Sequence, residues 1–255
     1  AVFASAEYRV SSKLEIKPAI RLSYNTDYKS PVVPSVMAKY SPTENMQIRF
    51  SYGKGFRAPG IKERYLYFVD INHNIQGNEN LLPEYSDNFY LSLNHQSKWK
   101  KINNNFSLSG FYNDIRNLIT LAQPDQTESL YTYINLGKFS THGVSVTNTI
   151  NYNAWSLSIG AAYTGRYNIY ADSGAFDKYL YSPDFNGSVQ YAFQKIDLTT
   201  SLFFKYNGAL PGYQVNSDNS ISQFSNDSYK FLDATIRKGF FKNSFFEPKL
   251  HNFFP

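Results

Sequence analysis

Asn45-Met46-Gln47-Ile48-Arg49-Phe50-Ser51-Tyr52 alternates residue by residue, with Met46, Ile48, Phe50 and Tyr52 on one side and Asn45, Gln47, Arg49 and Ser51 on the other. Successive side chains of an extended chain point to opposite faces, so this stretch predicts a strand with one apolar and one polar face. The same period runs outward in both directions. Upstream, Leu14, Ile16, Ile20, Leu22 and Tyr24 alternate with Lys13, Glu15, Lys17, Arg21 and Ser23. Downstream it returns as Phe89, Leu91, Leu93, as Phe106, Leu108, and as Trp155, Leu157, Ile159, Ala161, Tyr163. Val189, Tyr191, Phe193 follow, then Leu202, Phe204, Tyr206, and Leu232, Ala234, Ile236 close the series. No segment carries a comparable helical stripe.

These strands are long. An ordinary strand has about five or six residues, whereas one crossing a bilayer needs about nine to eleven. The polar face carries charge or amide at nearly every position, and the apolar face often ends in Tyr, Phe or Trp. That combination predicts an all-β fold: an antiparallel transmembrane β-barrel of about a dozen strands, apolar toward lipid, polar toward a wet lumen, with aromatic girdles. The breaks support it. Ser41-Pro42-Thr43-Glu44 and Asn153-Ala154 read as tight turns, and Gly53–Glu84, Gln123–Ser129, Asn168–Pro183 and Asn207–Asn226 as long loops. Short turns on one side of a membrane and long loops on the other give this asymmetry. No repeat, low-complexity tract or linker divides the 255 residues.

Composition excludes several classes. With Cys 0 there is no disulfide framework, thiolate metal site or Cys nucleophile. The mean hydropathy of −0.44 and the lack of a long apolar run leave no place for a transmembrane helix. Ala1-Val2-Phe3 has no charged start and apolar run, so no targeting segment is expected in these residues. The net charge of +5 is scattered through strands, and the one dense cluster, Lys98-Trp99-Lys100-Lys101, reads as a turn. No nucleic-acid partner is expected from such a footprint. No zinc-protease, nucleophile-elbow or Walker motif is present, so no enzyme, catalytic residue, cofactor or metal site is expected.

Tyr52-Gly53-Lys54-Gly55-Phe56-Arg57-Ala58-Pro59 and Gly77-Asn78-Glu79-Asn80-Leu81-Leu82-Pro83-Glu84-Tyr85-Ser86 resemble segments of TonB-dependent outer-membrane receptors, of the iron-chelate or haem type found in Bacteroides-like bacteria. Phe111–Ile119, Asn135–Val144 and Tyr229–Ile236 match the same scheme in order, and the resemblance covers almost the whole chain. It implies a bacterial outer-membrane location and a 22-stranded family barrel filled by a plug. Residues 1–255 would be a partial barrel domain, roughly its C-terminal half. It further implies active uptake of a ferric siderophore or of haem as transported ligand, contact with outer-membrane lipids, and drive from the TonB-ExbB-ExbD complex through an N-terminal segment not among these residues. Residues 240–255 form an atypical tail, where Phe245–Pro255 lacks alternation and contains Pro248 and Pro255.

The substrate-binding candidates cluster in the longest loop: Arg57, Glu63, Tyr65, Tyr67 and His73. Arg57 either shapes the vestibule or makes a rim ion pair. His73 lies between the two motifs, where haem receptors of the family resemble this layout with an iron-ligating His. The plain alternative is a loop His held by Asn72 and Asn74. Glu63, Arg64, Tyr65, Tyr67 and Asp70 either line a siderophore vestibule, with Tyr rings on the chelate, or pack the loop. Asp172, Asp177 and Asp184 read as solvated, His95 as interfacial, His142 as the start of a strand, and His251 as part of the tail. The competing class is a soluble or surface-attached β-rich carbohydrate-binding or adhesin module. It would bury its apolar strips against a second sheet.

Overall fold

The computed structural model describes residues 1–122, 129–167, 178–215, 221–241 and 244–250. The strands in chain order are β1 (Val2–Ser5), β2 (Tyr8–Arg9), β3 (Leu14–Leu22), β4 (Val33–Thr43), β5 (Met46–Arg57), β6 (Tyr67–Val69), β7 (Asn74–Gln76), β8 (Glu84–Trp99) and β9 (Ile102–Ala122). They continue as β10 (Tyr131–Tyr152), β11 (Trp155–Tyr167), β12 (Tyr179–Phe193), β13 (Leu198–Asn207), β14 (Leu210–Val215), β15 (Ile221–Asn226), β16 (Tyr229–Phe241), β17 (Ser244–Phe246) and β18 (Lys249–Leu250). One five-residue helix, α1 (Ile61–Tyr65), lies in the loop after β5. The main sheet follows the order β1-β3-β4-β5-β8-β9-β10-β11-β12-β13-β16-β17, and each long strand pairs antiparallel with the next. Among the described residues β1 and β17 are edges that do not pair with each other.

Cross-strand partners lie on one face of a sheet, so the pairing shows where the apolar sets go. Leu93 is opposite Leu108, Leu108 opposite Val146, Val146 opposite Ala161, and Ala161 opposite Phe185. The alternating sets merge into one belt, and that belt is open: Ile159 is 58% exposed and Leu91 54%. Only Val33, Leu81, Ile119 and Tyr167 are buried apolar residues among those described. Among the described residues no second layer covers the belt, unlike the stacked sandwich that the soluble alternative requires. Trp99 lies ten residues from Phe89 along β8. At about 3.3 Å per residue and a tilt of about 40°, that is about 25 Å, the height of a lipid-facing band. Trp99, Tyr152, Trp155 and Tyr191 mark its turn-side rim, and Phe89, Tyr112 and Tyr181 its loop-side rim.

The opposite face is polar. Ser92, Ser109 and Ser145 stand side by side across three strands, and the Ser109 and Ser145 hydroxyls are 2.8 Å apart. Turns after β4, β8 and β10 are two residues long, with Lys100 (φ 53°) and Asn153 (φ 51°) taking the left-handed conformation of tight hairpins. Every long connection falls at the other end of the strands.

Several strand ends differ from the sequence expectation. β4 runs through Pro42 to Thr43, because a register irregularity between Tyr40 and Thr43 accommodates the proline. β5 continues to Arg57: Gly53 and Gly55 interrupt the hydrophobicity pattern without interrupting pairing, since they fall on the polar face opposite Asn88 and Ser86. His142 sits inside β10, not at its start. β12 begins at Tyr179, and the β14–β15 hairpin occupies much of the loop after β13. The expected loop at 123–129 lies almost wholly outside the described residues, as do Asp172, Asp177 and His251. At the far edge, Lys238 is opposite Phe246 and Ala234 opposite Leu250, the two short pieces being separated at Glu247-Pro248.

Candidate functional site

The loop between β5 and β8 carries all five candidates, and its anchorage starts at Arg57, the last residue of β5. Its Nε donates to Glu84 Oε2 at 2.6 Å and Nη2 to Glu84 Oε1 at 2.8 Å. Its Nη1 donates to both Glu63 oxygens at 2.8 Å. Glu63 also accepts from the Gly60 N–H at 2.6 Å, closing the first turn of α1. Glu84 accepts from the Ile119 N–H at 2.7 Å, tying the pair to β9. Arg57 and Glu63 are therefore brought together, as a bidentate clamp that fixes the loop entrance. Glu84, absent from the sequence candidates, is the third member.

The return limb is held as firmly. Asn78 Nδ2 donates to the Tyr133 carbonyl at 2.9 Å. Asn135 accepts from the Leu82 N–H at 2.8 Å and donates to the carbonyls of Leu82 at 2.9 Å and Asn117 at 2.8 Å. Asn117 Nδ2 donates to the Pro83 carbonyl at 3.3 Å. Leu81 is 2% exposed beneath them, and the Tyr28 hydroxyl donates to its carbonyl at 3.0 Å. The motif segments separated in sequence are thus stitched together at one place, the seam between the loop and β9–β10. Loop backbone outside a strand ladder needs other partners, and the Asn side chains supply them.

Beyond the seam the loop is open. Arg64 sits over the rings of Tyr28 (5.5 Å) and Tyr65 (4.8 Å) and pairs with Asp27. Tyr67 is 75% exposed at the start of the β6–β7 hairpin. His73 closes that hairpin, and β7 lies parallel to the start of β10. Asp70 Oδ1 accepts from the N–H groups of Asn72 and His73, both at 2.7 Å, and from His73 Nδ1 at 3.0 Å. The Asn72 N–H, with the His73 ring and amide, outweighs desolvation and holds the Asp70 carboxyl below its ordinary value of 3.8. At neutral pH the carboxylate accepts from Nδ1–H, so the lone pair of His73 resides on Nε2. Asp70, not Asn72 or Asn74, is the side chain that holds His73. The Phe68 ring packs against His73 with centroids 4.9 Å apart and planes tilted by 34°, and a hollow of about 480 Å³ beside them is lined by Asp70, Asn72, His73, Leu121 and Tyr131. No hydrogen bond joins the Arg57–Glu63 clamp to this hairpin tip, so the five candidates form an anchor and a presenting surface. Among the described residues no group of three metal-ligating side chains converges.

Comparison with known proteins agrees with this architecture. The family profile "TonB dependent receptor-like, beta-barrel" matches residues 1–245. The chain is 27% identical over 151 residues to the vitamin B12 transporter BtuB of Photobacterium profundum, covering 58% of this chain and 23% of that protein. It is 26% identical over 174 residues to the iron-regulated outer membrane virulence protein of Vibrio cholerae, covering 64% and 26%. A ferric enterobactin receptor variant (PfeA) from Pseudomonas aeruginosa, in complex with enterobactin, superposes with a TM-score of 0.77 at 15% identity. That match covers 99% of this chain and 39% of the other. The chain thus spans about a quarter of the length of these curated relatives.

Proposed function

The chain belongs to the TonB-dependent receptor β-barrel family, and from that membership we propose that it forms the C-terminal part of the wall and mouth of an outer-membrane receptor that takes up a ferric siderophore, driven through TonB and its ExbB-ExbD partners. The open edges at β1 and β17 support its being part of a larger barrel, because an unpaired strand edge is not tolerated in hydrocarbon. The observation that carries the ligand reading is the division of the β5–β8 loop. Its family-marking residues are consumed in anchorage, and Tyr65 and Tyr67 remain at the surface, with the half-buried Arg64 guanidinium held between Asp27 and the Tyr65 ring. Exposed aromatic faces beside a cation suit a chelate whose iron is wrapped in anionic aromatic groups. The relatives named for iron and for enterobactin lie in the same direction.

A second reading, haem, has one specific observation in its favour. The Asp70–His73 pair orients the ring and leaves Nε2 facing outward, which is how carboxylates position ligating histidines. Equilibrium dialysis of the whole receptor that contains this chain, in detergent, against a ferric tris-catecholate, and a haem titration beside it, separate the two. The expected result is chelate binding weakened at least ten-fold by Tyr65→Ala with Tyr67→Ala, and a haem spectrum indifferent to His73→Ala. A Soret shift in the wild type that His73→Ala abolishes would replace the siderophore reading with haem. Binding of neither ligand would sink both.

A further inference from the structure

The lipid-facing belt has a polar notch. On its face lie His95 and Ser97 of β8, Asn104 of β9 and Asn148 of β10. His95 and Asn148 are opposite Phe106 from its two sides, and Ser97 is opposite Asn104, one belt position nearer the turns. On β11–β13 the same rows carry Leu157, Ile159, Val189, Leu202 and Phe204. Asn148 is four residues from Tyr152, and His95 four from Trp99. At about 3.3 Å per residue and a tilt of about 40°, both lie about 10 Å inside the turn-side rim. An Asn side chain is too short to reach back to water from there. Among the described residues none of the four side chains has a hydrogen bond, and the Oδ1 atoms of Asn104 and Asn148 are covered and unpaired. An amide without partners in hydrocarbon is costly. Acyl chains offer neither donor nor acceptor at this depth, so only protein supplies the missing bonds. The rest of the barrel does not reach the notch. Four strands separate it from one open edge and five from the other, and the long connections emerge at the opposite end of the strands. The lumen, with whatever fills it, lies behind the other face.

We infer that this notch is a contact between two copies of the receptor in the membrane, closed by hydrogen bonds between their Asn104 and Asn148 amides. Copies in one membrane share one orientation, so a twofold axis relating them runs along the membrane normal and brings each residue to its own depth. An amide both donates and accepts, and a half-turn about χ2 exchanges its two ends, so it is complementary to itself. Paired Asn residues fix register in coiled coils by the same means. A different membrane protein would need a polar group at this depth, whereas a second copy has one by symmetry. Beside the notch an apolar hollow of about 230 Å³, lined by Leu108, Val144, Val146, Ala161, Tyr163 and Phe185, gives a side chain of the second copy a seat. Polar pairs within membranes contribute modestly, so the copies separate on dilution with lipid, and the face then meets acyl chains.

The test measures energy transfer between copies of the whole receptor that contains this chain, carrying donor or acceptor dye on a terminal tag, in lipid vesicles over a range of protein-to-lipid ratios. The wild type is expected to show transfer above that of randomly distributed molecules. Asn104→Leu with Asn148→Leu is expected to need at least ten-fold more protein per lipid for the same transfer. Leu suits a lipid-facing position, so this variant is expected to fold as well as the wild type, which heat-modified gel mobility checks. Asn148→Gln keeps an amide and is expected to retain most of the association. Asn105→Leu, on the lumen face of the same strand as Asn104, is expected to change nothing. Wild-type transfer at the random level overturns the proposal and leaves the notch to a different membrane protein. Transfer unchanged in the double Leu variant also overturns it, by placing the contact elsewhere on the barrel.

Discussion

Val146→Arg is expected to destabilise the folded chain in bilayers by about 2–4 kcal/mol, while Thr147→Arg, one residue along the same strand, changes stability by well under 1 kcal/mol. Val146 sits in the belt row with Leu93, Leu108, Ala161 and Phe185, near mid-height. A guanidinium there must leave water for acyl chains or drag the bilayer inward. Thr147 points to the opposite face, opposite Ser107 on β9. A guanidinium there remains among hydroxyl and amide groups and water. Denaturant titration of both variants in lipid vesicles measures the contrast. Equal penalties would mean that both faces are dry, and equal tolerance that neither meets lipid.

The second large effect is expected at Gly77. A Cβ added there lies 2.5 Å from the carbonyl carbon and oxygen of Arg64 and 2.6 Å from the Tyr65 nitrogen. All three are backbone atoms of α1, so no side-chain rotation relieves the overlap. The Gly77 N–H donates to the Leu66 carbonyl at 2.6 Å and the Asn78 N–H to the Glu63 carbonyl at 2.9 Å, so the two limbs of the loop touch here through main chain alone. Gly77→Ala must separate them, at a cost of about 1–3 kcal/mol by analogy with overpacked cores. Gly137→Ala provides the control, since nothing lies within 4 Å of the added Cβ. Hydrogen exchange of the Gly77 and Asn78 amides, with limited proteolysis of residues 58–83, is expected to report a loosened loop for Gly77→Ala and no change for Gly137→Ala. Unchanged protection in Gly77→Ala would show that the loop is not locked at this contact.

The lipid-facing belt was legible from the sequence because its cause is local. Side chains alternate by the geometry of a single strand, so Trp155, Leu157 and Ile159 announce their face without knowledge of any neighbour. Strand ends were less legible. Gly53 and Gly55 resemble loop residues in isolation, and only pairing with β8 shows that the strand runs on to Arg57. The site divides in the same way. Arg57, Glu63, Tyr65, Tyr67 and His73 could be picked out as loop residues of the right chemistry. That Arg57 is held by Glu84, that Asn135 clamps Leu82, and that Asp70 orients His73 depend on the register of β8, β9 and β10 or on the turn at 70–73. The juxtaposition of Lys39 and Arg49 was equally invisible, because residues ten apart in sequence become direct neighbours only when β4 pairs with β5.

The chain contains Cys 0, so any introduced cysteine is unique. Single cysteines at each position from Val144 to Ile150, carrying an environment-sensitive fluorophore in bilayers, can be quenched from the lipid by brominated acyl chains and from water by iodide. Labels at 144, 146, 148 and 150 are expected to be quenched by the brominated lipid, and those at 145, 147 and 149 by iodide. Seven positions shielded from both quenchers, or quenching without a period of two, would contradict a strand with one side in lipid and the other in a wet lumen.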